Sequence, residues 1–477
     1  MYRSTLSRRG FIRKSSTLAL GISTITPAIA GHFLGEGSAN RESTNLAPIK
    51  ISQVNSNFER EPLGRPFGFK GSAMTNVWQT VACVGSESGI KKIGLGTQNI
   101  LWSDSKVFSN HSEQGGNALM YAMSERALQM IKGTSFTSPI EMLDDILPDI
   151  LFYGKQITNN PDLRTTFALN ALVGVDNALW LLYAAENGIT NFDDMIPEAY
   201  RPGLSARHDK VASIPALGYG TSMDEIKRLA DDGHFIMKIK IGAPGDQQQM
   251  LERDKEFLSN IHKTIGHYET PHSKNGKIPY YFDANGRYGK KETLLRFLDH
   301  AEKLGALGQI SVLEEPFGEH NEEDVRDITA RDLFVAADES AHTDKDALIR
   351  IEQGYNTIAV KAIAKTLSMT MKIAQLAYEK KIPCFCADLT VNPILVDWNK
   401  TVAARLPALS GMNLGLQETN GWQNYRDWDR MMSYHPAQNA SWTKTVDGVY
   451  PTGNDFYEQS GGIFMQSPHY EKMFEAN

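Results

Sequence analysis

From about Ser213 onward, short apolar runs alternate with longer stretches of helical periodicity. The runs are SIPALGYG, FIMKIKIG, IPYYFDANG, ISVLEEPF, LFVAADES, TIAVKAIA, IPCFCADL and NLGLQ, and the stretches between them include LLRFLDHAEKL and MTMKIAQLAYEK. Strand and helix alternating through eight such runs predict a parallel sheet closed into a barrel. Upstream the rhythm differs. Alternating apolar positions from Ile49 to about Gln98 predict a few antiparallel strands. Three helical patterns follow, NALMYAMSERALQMIKG, IEMLDDILPDILFYG and FALNALVGVDNALWLLYAAENG, the last with Gly188 as its stop. The pattern divides the chain into an α+β unit over 48–205, a barrel over 206–425 and an extension over 426–477.

The N-terminus follows neither rhythm. Ser7-Arg8-Arg9-Gly10-Phe11-Ile12 is a twin-arginine pattern, followed by an apolar stretch from Leu18 to Ile29 and a small-residue site at Ala28-Ile29-Ala30. Residues 1–30 are therefore expected to be an export signal and the small, polar residues 31–47 a linker, with a periplasmic or secreted destination. Gly21 and Pro27 break the apolar stretch, so no lasting membrane helix is expected once the signal is removed.

Composition sets limits on partners. Hydrophobic residues at 41% and charged residues at 22% of 477 supply enough apolar material for a core. The formal charge is -7 although residues 1–30 hold five basic groups and no acid, so the remainder is more acidic still. An acidic surface without a basic stripe excludes nucleic acid as an expected partner. The three cysteines, Cys83, Cys384 and Cys386, make no disulfide framework; the latter two, two residues apart on a predicted strand, read as core.

The chemistry lies at the ends of the apolar runs. Asp283, Glu314 and Asp338 close three successive predicted strands, which in a parallel barrel brings them to one mouth. Carboxylates gathered there repel one another unless a cation holds them. Oxygen-only donors suit Mg²⁺, with Mn²⁺ as the alternative. Lysines arrive before and after these acids in the chain: Lys238 and Lys240 in FIMKIKIG, and Lys361 in TIAVKAIAK, with Lys365 competing for the Lys361 role. Metal beside lysine is an arrangement for moving a proton next to a carboxylate.

With these residues in place, the chain from about Ile49 onward resembles the enolase superfamily, in its muconate lactonizing enzyme-like branch. The resemblance implies a modified TIM barrel, (β/α)7β, with an N-terminal α+β capping domain. Lys238–Lys240 resemble the branch's K-x-K motif; Asp283, Glu314 and Asp338 match its metal ligands, and Lys361 its sixth-strand lysine. FALNALVGVDNALWLLYAAENG resembles the helix that closes the capping domain. Such sites work with a Lys or His base and magnesium. The resemblance thus implies Lys240 and Lys361 as acid/bases on opposite faces of the substrate, with Lys238 lowering the pKa of Lys240 and touching a substrate oxygen. Asn285, Asp388 and Glu418 are the candidate substrate contacts, with Gln417 as an alternative to Glu418; Asn285 also reads as a turn residue or metal ligand. Strand alternation points Glu315 and Glu339 away from the mouth.

Departures from the branch's pattern are visible too. Residues 261–277 form an insertion whose His267 and His272 read as surface residues. Thr366-Leu367-Ser368 stands where relatives carry a glycine pair. No histidine base appears around IPCFCADLTVNP, and NLGLQETNG lacks the aspartate pair of dipeptide epimerases. Specificity is expected from a capping loop over 57–70, where Arg60 or Arg65 would clamp an acidic group. The extension, with Trp422, Trp428 and Trp442 at and after the barrel's end, is expected to lie on the capping domain. The expected activity is a Mg²⁺-dependent racemase or epimerase acting on the α-proton of a small carboxylate, such as a dipeptide or N-modified amino acid. The alternatives are a dehydratase or cycloisomerase of an acid sugar and a non-catalytic metal-dependent binding protein. A homo-oligomer is the expected assembly.

Overall fold

The computed structural model describes residues 47–69 and 72–475; residues 1–46, which carry the twin-arginine segment and most of the linker, lie outside the described residues. The N-terminal unit opens with three antiparallel strands, β1 (Ile49–Phe69), β2 (Ser72–Ser86) and β3 (Lys91–Gln98), and a short β4 (Ser135–Phe136) pairs with the start of β1. The expected capping loop is largely strand. Phe58, Glu59 and Arg60 pair with Thr80, Gln79 and Trp78, the register shifts between Pro62 and Phe67, and pairing resumes at Phe67 opposite Met74. Gly64 and Pro66 fall inside that shift.

Three helices back this sheet: Ser105–Ile131, Pro139–Ile157 and Thr165–Glu186. The first begins earlier than its apolar pattern, capped by Asp104 and bent at Ser112, where φ is +64°. Thr165–Glu186 is long and apolar enough to cross a membrane by composition, yet that apolar stretch is wholly buried inside the protein. It meets β3 backbone to backbone. A Cβ on Gly94 would lie 2.2 Å from Gly174 O and Ala178 N, so only glycine permits this approach. Its far side faces the barrel through Asp176, which accepts from the Ser368 N–H at 3.1 Å and from the Ser368 hydroxyl. Burial, only partly offset by these bonds, raises the Asp176 pKa to about 7.

The eight apolar runs become the barrel. The first strand is broken at Pro215 into β5 (Lys210–Ile214) and β6 (Ala216–Leu217). It is followed by β7 (Met237–Lys240), β8 (Tyr280–Asp283), β9 (Ile310–Glu314), β10 (Phe334–Ala337), β11 (Thr357–Val360), β12 (Cys384–Cys386) and β13 (Gly415–Glu418). Each strand pairs in parallel with the next, and β13 pairs with β5 while β6 pairs with β7, so the two halves of the first strand close the ring. Pro215 lacks an N–H to continue the ladder, but its carbonyl accepts from Lys238 N at 2.9 Å. Helices connect successive strands, giving (β/α)7β with the carboxyl ends of all eight strands at one mouth. Phe385 packs edge-on against the barrel-facing Tyr281, and the Cys386 thiol donates to Asn399 O on helix Pro393–Ala403, so the cysteine pair faces outward into core.

The extension covers more than the N-terminal unit. Strand β14 (Val449–Pro451) pairs antiparallel with β5. Trp442 Nε1 donates to Asp397 Oδ2 at 3.1 Å on a barrel helix, and Trp422 stacks on His234. Contact with β1 runs instead through Arg430 to Glu61 and His469 to Glu59. The expected seat of the tryptophans on the capping domain is therefore corrected: their partners are barrel residues, because β5 leaves an open edge below Pro215 that the extension fills.

Candidate active site

The pocket at the barrel mouth gathers most of the candidate residues. Lys238, Lys240, Asp283, Asn285, Asp338, Lys361, Asp388 and Glu418 all line it. Glu314 lies just beneath, fully buried. Alternation accounts for the placement. Lys238 and Lys240 are two apart on β7, paired with Tyr281 and Asp283 on β8, and Asp283 is paired with Glu314 on β9, so all of these point inward.

Lys238 is the electrostatic centre. Its Nζ lies 3.0 Å from Asp283 Oδ2, 2.9 Å from Glu314 Oε1 and 3.1 Å from Glu418 Oε2. Burial works against its charge, but these carboxylates prevail and raise its pKa well above the ordinary value. Lys238 thus stands beside Lys240 as the expected like charge, but one shared among three carboxylates. Lys240, less buried, reaches the same Asp283 oxygen. Asp283 feels burial pushing up and the two lysines pulling down, and ends at about 2. For Glu314 burial wins over Lys238 and the value rises to about 8, while Tyr281 donates its hydroxyl to Glu314 Oε2 from below.

On the opposite wall Lys361 Nζ stands 2.5 Å from Asp338 Oδ2 and 4.1 Å from the centre of the Trp102 ring. Asp338 raises the Lys361 pKa against the effect of burial. Lys365 does not compete for the pocket. It is buried beneath, donating to Asp338 O at 2.7 Å and Ala341 O at 3.0 Å.

Glu339 corrects the alternation argument. Strand β10 ends at Ala337, so Asp338 and Glu339 lie past the point where successive side chains must diverge, and both line the pocket. Glu314, Asp338 and Glu339 each offer an oxygen within 4.8 Å of the others. Asp283 joins that group through Asn285, whose Nδ2 donates to Asp283 Oδ2 at 3.1 Å and Glu339 Oε1 at 2.8 Å. Glu339 Oε2 is buried without a donor. Glu315, by contrast, does turn aside, accepting from Asp338 N at 2.8 Å and Ser340 Oγ at 3.1 Å.

The remaining wall is Asp388, Glu418 and Asn420. Asn420 N donates to Asp388 Oδ2 at 2.7 Å, Asp388 N to Glu418 Oε2 at 3.0 Å and Asn420 Nδ2 to Glu418 Oε1 at 3.0 Å. Burial, with the charge of Glu418, lifts Asp388 to about 7. Gln417 faces away and donates to Val396 O. Four non-glycine residues just past strand ends, Asn285, Glu315, Thr366 and Thr390, hold positive φ between 40° and 74°.

Neither Arg60 nor Arg65 lines the pocket. Arg60 lies over the Trp78 ring at 4.9 Å and Arg65 is 3.7 Å from Glu225; the residue of β1 that reaches the pocket is Phe67. His267 is exposed and His272 packs against Phe235, both away from the pocket. Trp102 was not legible as a pocket residue, since no motif or strand end marks it; Phe67 lies in the expected capping segment and Asn420 two residues past the end of β13.

No protein-family model matches the chain, and no curated protein does. Solved structures match across most of its length. The chain is similar to a mandelate racemase/muconate lactonizing protein from Herpetosiphon aurantiacus, with 14% identity, coverage of 85% of this chain and 96% of that one, and a TM-score of 0.59. It is similar to the L-Ala-D/L-Glu epimerase from Bacillus subtilis, with 17% identity, coverage of 77% and 89%, and a TM-score of 0.56. A dipeptide epimerase from Enterococcus faecalis V583, complexed with Mg and L-Leu-L-Tyr, matches with 18% identity, coverage of 77% and 90%, and a TM-score of 0.55. A member of the enolase superfamily from Listeria innocua Clip11262 matches as well, with 16% identity, coverage of 80% and 88%, and a TM-score of 0.55, and at these identities the likeness is one of fold.

Proposed function

We propose that this chain is an enolase-superfamily enzyme, a Mg²⁺-dependent racemase or epimerase that removes and returns the α-proton of a dipeptide or N-acylated amino acid. One observation carries the reading. Lys240 stands at the end of the second strand of the ring and Lys361 just past the sixth, diametrically opposed among eight, with the carboxylates of the third, fourth and fifth strands between them. Two amines on opposite sides of one pocket can each serve one face of a carbon.

The donor set fits a hard divalent ion: all-oxygen, three carboxylates converging within 4.8 Å, and a buried Glu339 oxygen lacking any donor. Of the expected ligands Asp283, Glu314 and Asp338, the last two would hold it together with Glu339, and Asp283, joined to Glu339 through Asn285, stands beside them. When bound, the ion supplies positive charge that offsets the second negative charge arising when a carbon next to a carboxylate loses its proton. The chain does the rest. Lys240 Nζ and Lys361 Nζ take and return the proton, Lys238 keeps Asp283, Glu314 and Glu418 in place, and Asn285 fixes Asp283 relative to Glu339. Asp388 and Glu418 bound the substrate on the far wall. The solved epimerases of the same fold that hold Mg and a dipeptide support both the metal and the substrate class. The twin-arginine segment supports export, with the reaction taking place in the periplasm or outside the cell.

The test is a panel of dipeptides and N-acetyl amino acids incubated with the protein and Mg²⁺ in D₂O. Deuterium is expected at the α-carbon, with inversion, and only when Mg²⁺ is present. An unsaturated or keto product with new ultraviolet absorbance would instead assign elimination.

A further inference from the structure

Tyr281 lies two residues before Asp283 on β8, so it faces the same way, into the barrel, one layer deeper and opposite Lys238 on β7. It is wholly buried, and three contacts fix it. Phe385 meets its ring edge-on with centroids 5.5 Å apart, the Lys238 ammonium lies 5.4 Å from the ring centre, and the hydroxyl donates to Glu314 Oε2. A hydroxyl at this depth is costly unless it is bonded, and the carboxylate of a candidate metal ligand is the acceptor it finds.

Glu314 is thereby held through both oxygens, Oε1 by Lys238 at 2.9 Å and Oε2 by Tyr281. The two partners act differently. Lys238 carries a full positive charge and competes with any ion for the carboxylate. The Tyr281 hydroxyl is neutral, so it anchors Oε2 without cancelling the charge that an ion needs, and an oxygen anchored in this way is not free to turn onto the ammonium. A carboxylate has about four lone-pair sites over its two oxygens, which leaves room for an ion beside both bonds.

We propose that Tyr281 is a positioning residue for the metal site: its hydroxyl holds the Glu314 carboxylate in the orientation that meets an ion together with Asp338 and Glu339, while its ring face seats the Lys238 ammonium. Its role depends on the metal site proposed above and adds a neutral hydroxyl, beneath the pocket, to the groups that make that site.

Tyr281→Phe removes the hydroxyl and keeps the ring against Phe385 and Lys238. Tyr280→Phe is the control, since it removes a buried hydroxyl from the same strand, one that faces outward and bonds His262 Nδ1 at 2.9 Å. Mn²⁺ binding to each purified protein is followed without substrate, by electron paramagnetic resonance of the free ion. Tyr281→Phe is expected to weaken binding about 10- to 100-fold, the usual effect of removing a hydrogen bond from a ligating carboxylate, and Tyr280→Phe to bind as the wild type does. In α-proton exchange, the Mg²⁺ concentration for half-maximal rate should rise by the same factor in Tyr281→Phe, while the rate at saturating Mg²⁺ stays close to that of the wild type. Mn²⁺ binding that is unchanged in Tyr281→Phe, or weakened equally in both variants, would overturn the assignment. A wild type that binds no Mn²⁺ would overturn the metal site and the assignment together. Binding weakened in Tyr281→Phe alone, in a protein that exchanges no α-proton, would uphold the assignment and reject the reaction.

Discussion

Lys361→Ala is expected to lower the rate of stereochemical inversion by about 10³-fold, the scale of a lost general acid/base, while the fold survives. Survival follows from the second cation at Asp338: Lys365 already lies 3.3 Å from Asp338 Oδ1, so the carboxylate keeps a partner when Lys361 is shortened. Lys240→Ala should lower inversion to a similar degree with the fold likewise intact, because Asp283 retains Lys238 at 3.0 Å. The two variants should differ in a telling way. With one amine gone, the isomer whose proton faces the surviving lysine still exchanges with solvent, and the other does not. Each variant should therefore exchange a different enantiomer, read by proton NMR in D₂O. Retained inversion in both would remove these residues from the chemistry.

Lys238→Met is expected to be the most damaging substitution for stability, by about 3 to 5 kcal/mol in urea denaturation, the usual cost of stripping the partner from buried charges. The ammonium it removes is shared by Asp283, Glu314 and Glu418, all of them at most 5% exposed. Asp283 keeps Lys240 and Glu314, already raised to about 8 by burial, can take up a proton, but Glu418 loses its cation. Millimolar Mg²⁺ should restore part of the loss, since a bound ion stabilises the folded state alone. A variant as stable as the parent would mean that this ion-pair network is not what holds the acids together.

The barrel was readable because strands buried on both faces write themselves as near-continuous apolar runs, and each of the eight runs became a strand. The charged residues at their ends were conspicuous against those runs, which is why Lys238, Lys240, Asp283, Glu314, Asp338 and Lys361 could be picked out one by one. A strand's alternation does not extend past the strand's own end. Glu339 was assigned to the far face by alternation, but the strand stops two residues before it. Residues 57–70 are expected as a capping loop from the resemblance, yet one register shift absorbs Gly64 and Pro66 and leaves a paired strand. Trp102 was invisible for a different reason. Its place depends on how a four-residue helix from the N-terminal unit meets the barrel, a long-range contact that no local pattern encodes. The extension's seat on the barrel was hidden likewise, since the open edge of β5 exists only once Pro215 has split the first strand.

The most direct test of the two-sided site is a crystal structure with Mn²⁺, located by anomalous scattering, and an N-acetyl amino acid soaked into the barrel mouth. The ion should contact Glu314 and Asp338, and the α-carbon should lie between Lys240 Nζ and Lys361 Nζ, one amine above it and one below. An ion found away from those carboxylates, or both amines on the same side of the carbon, would contradict the account.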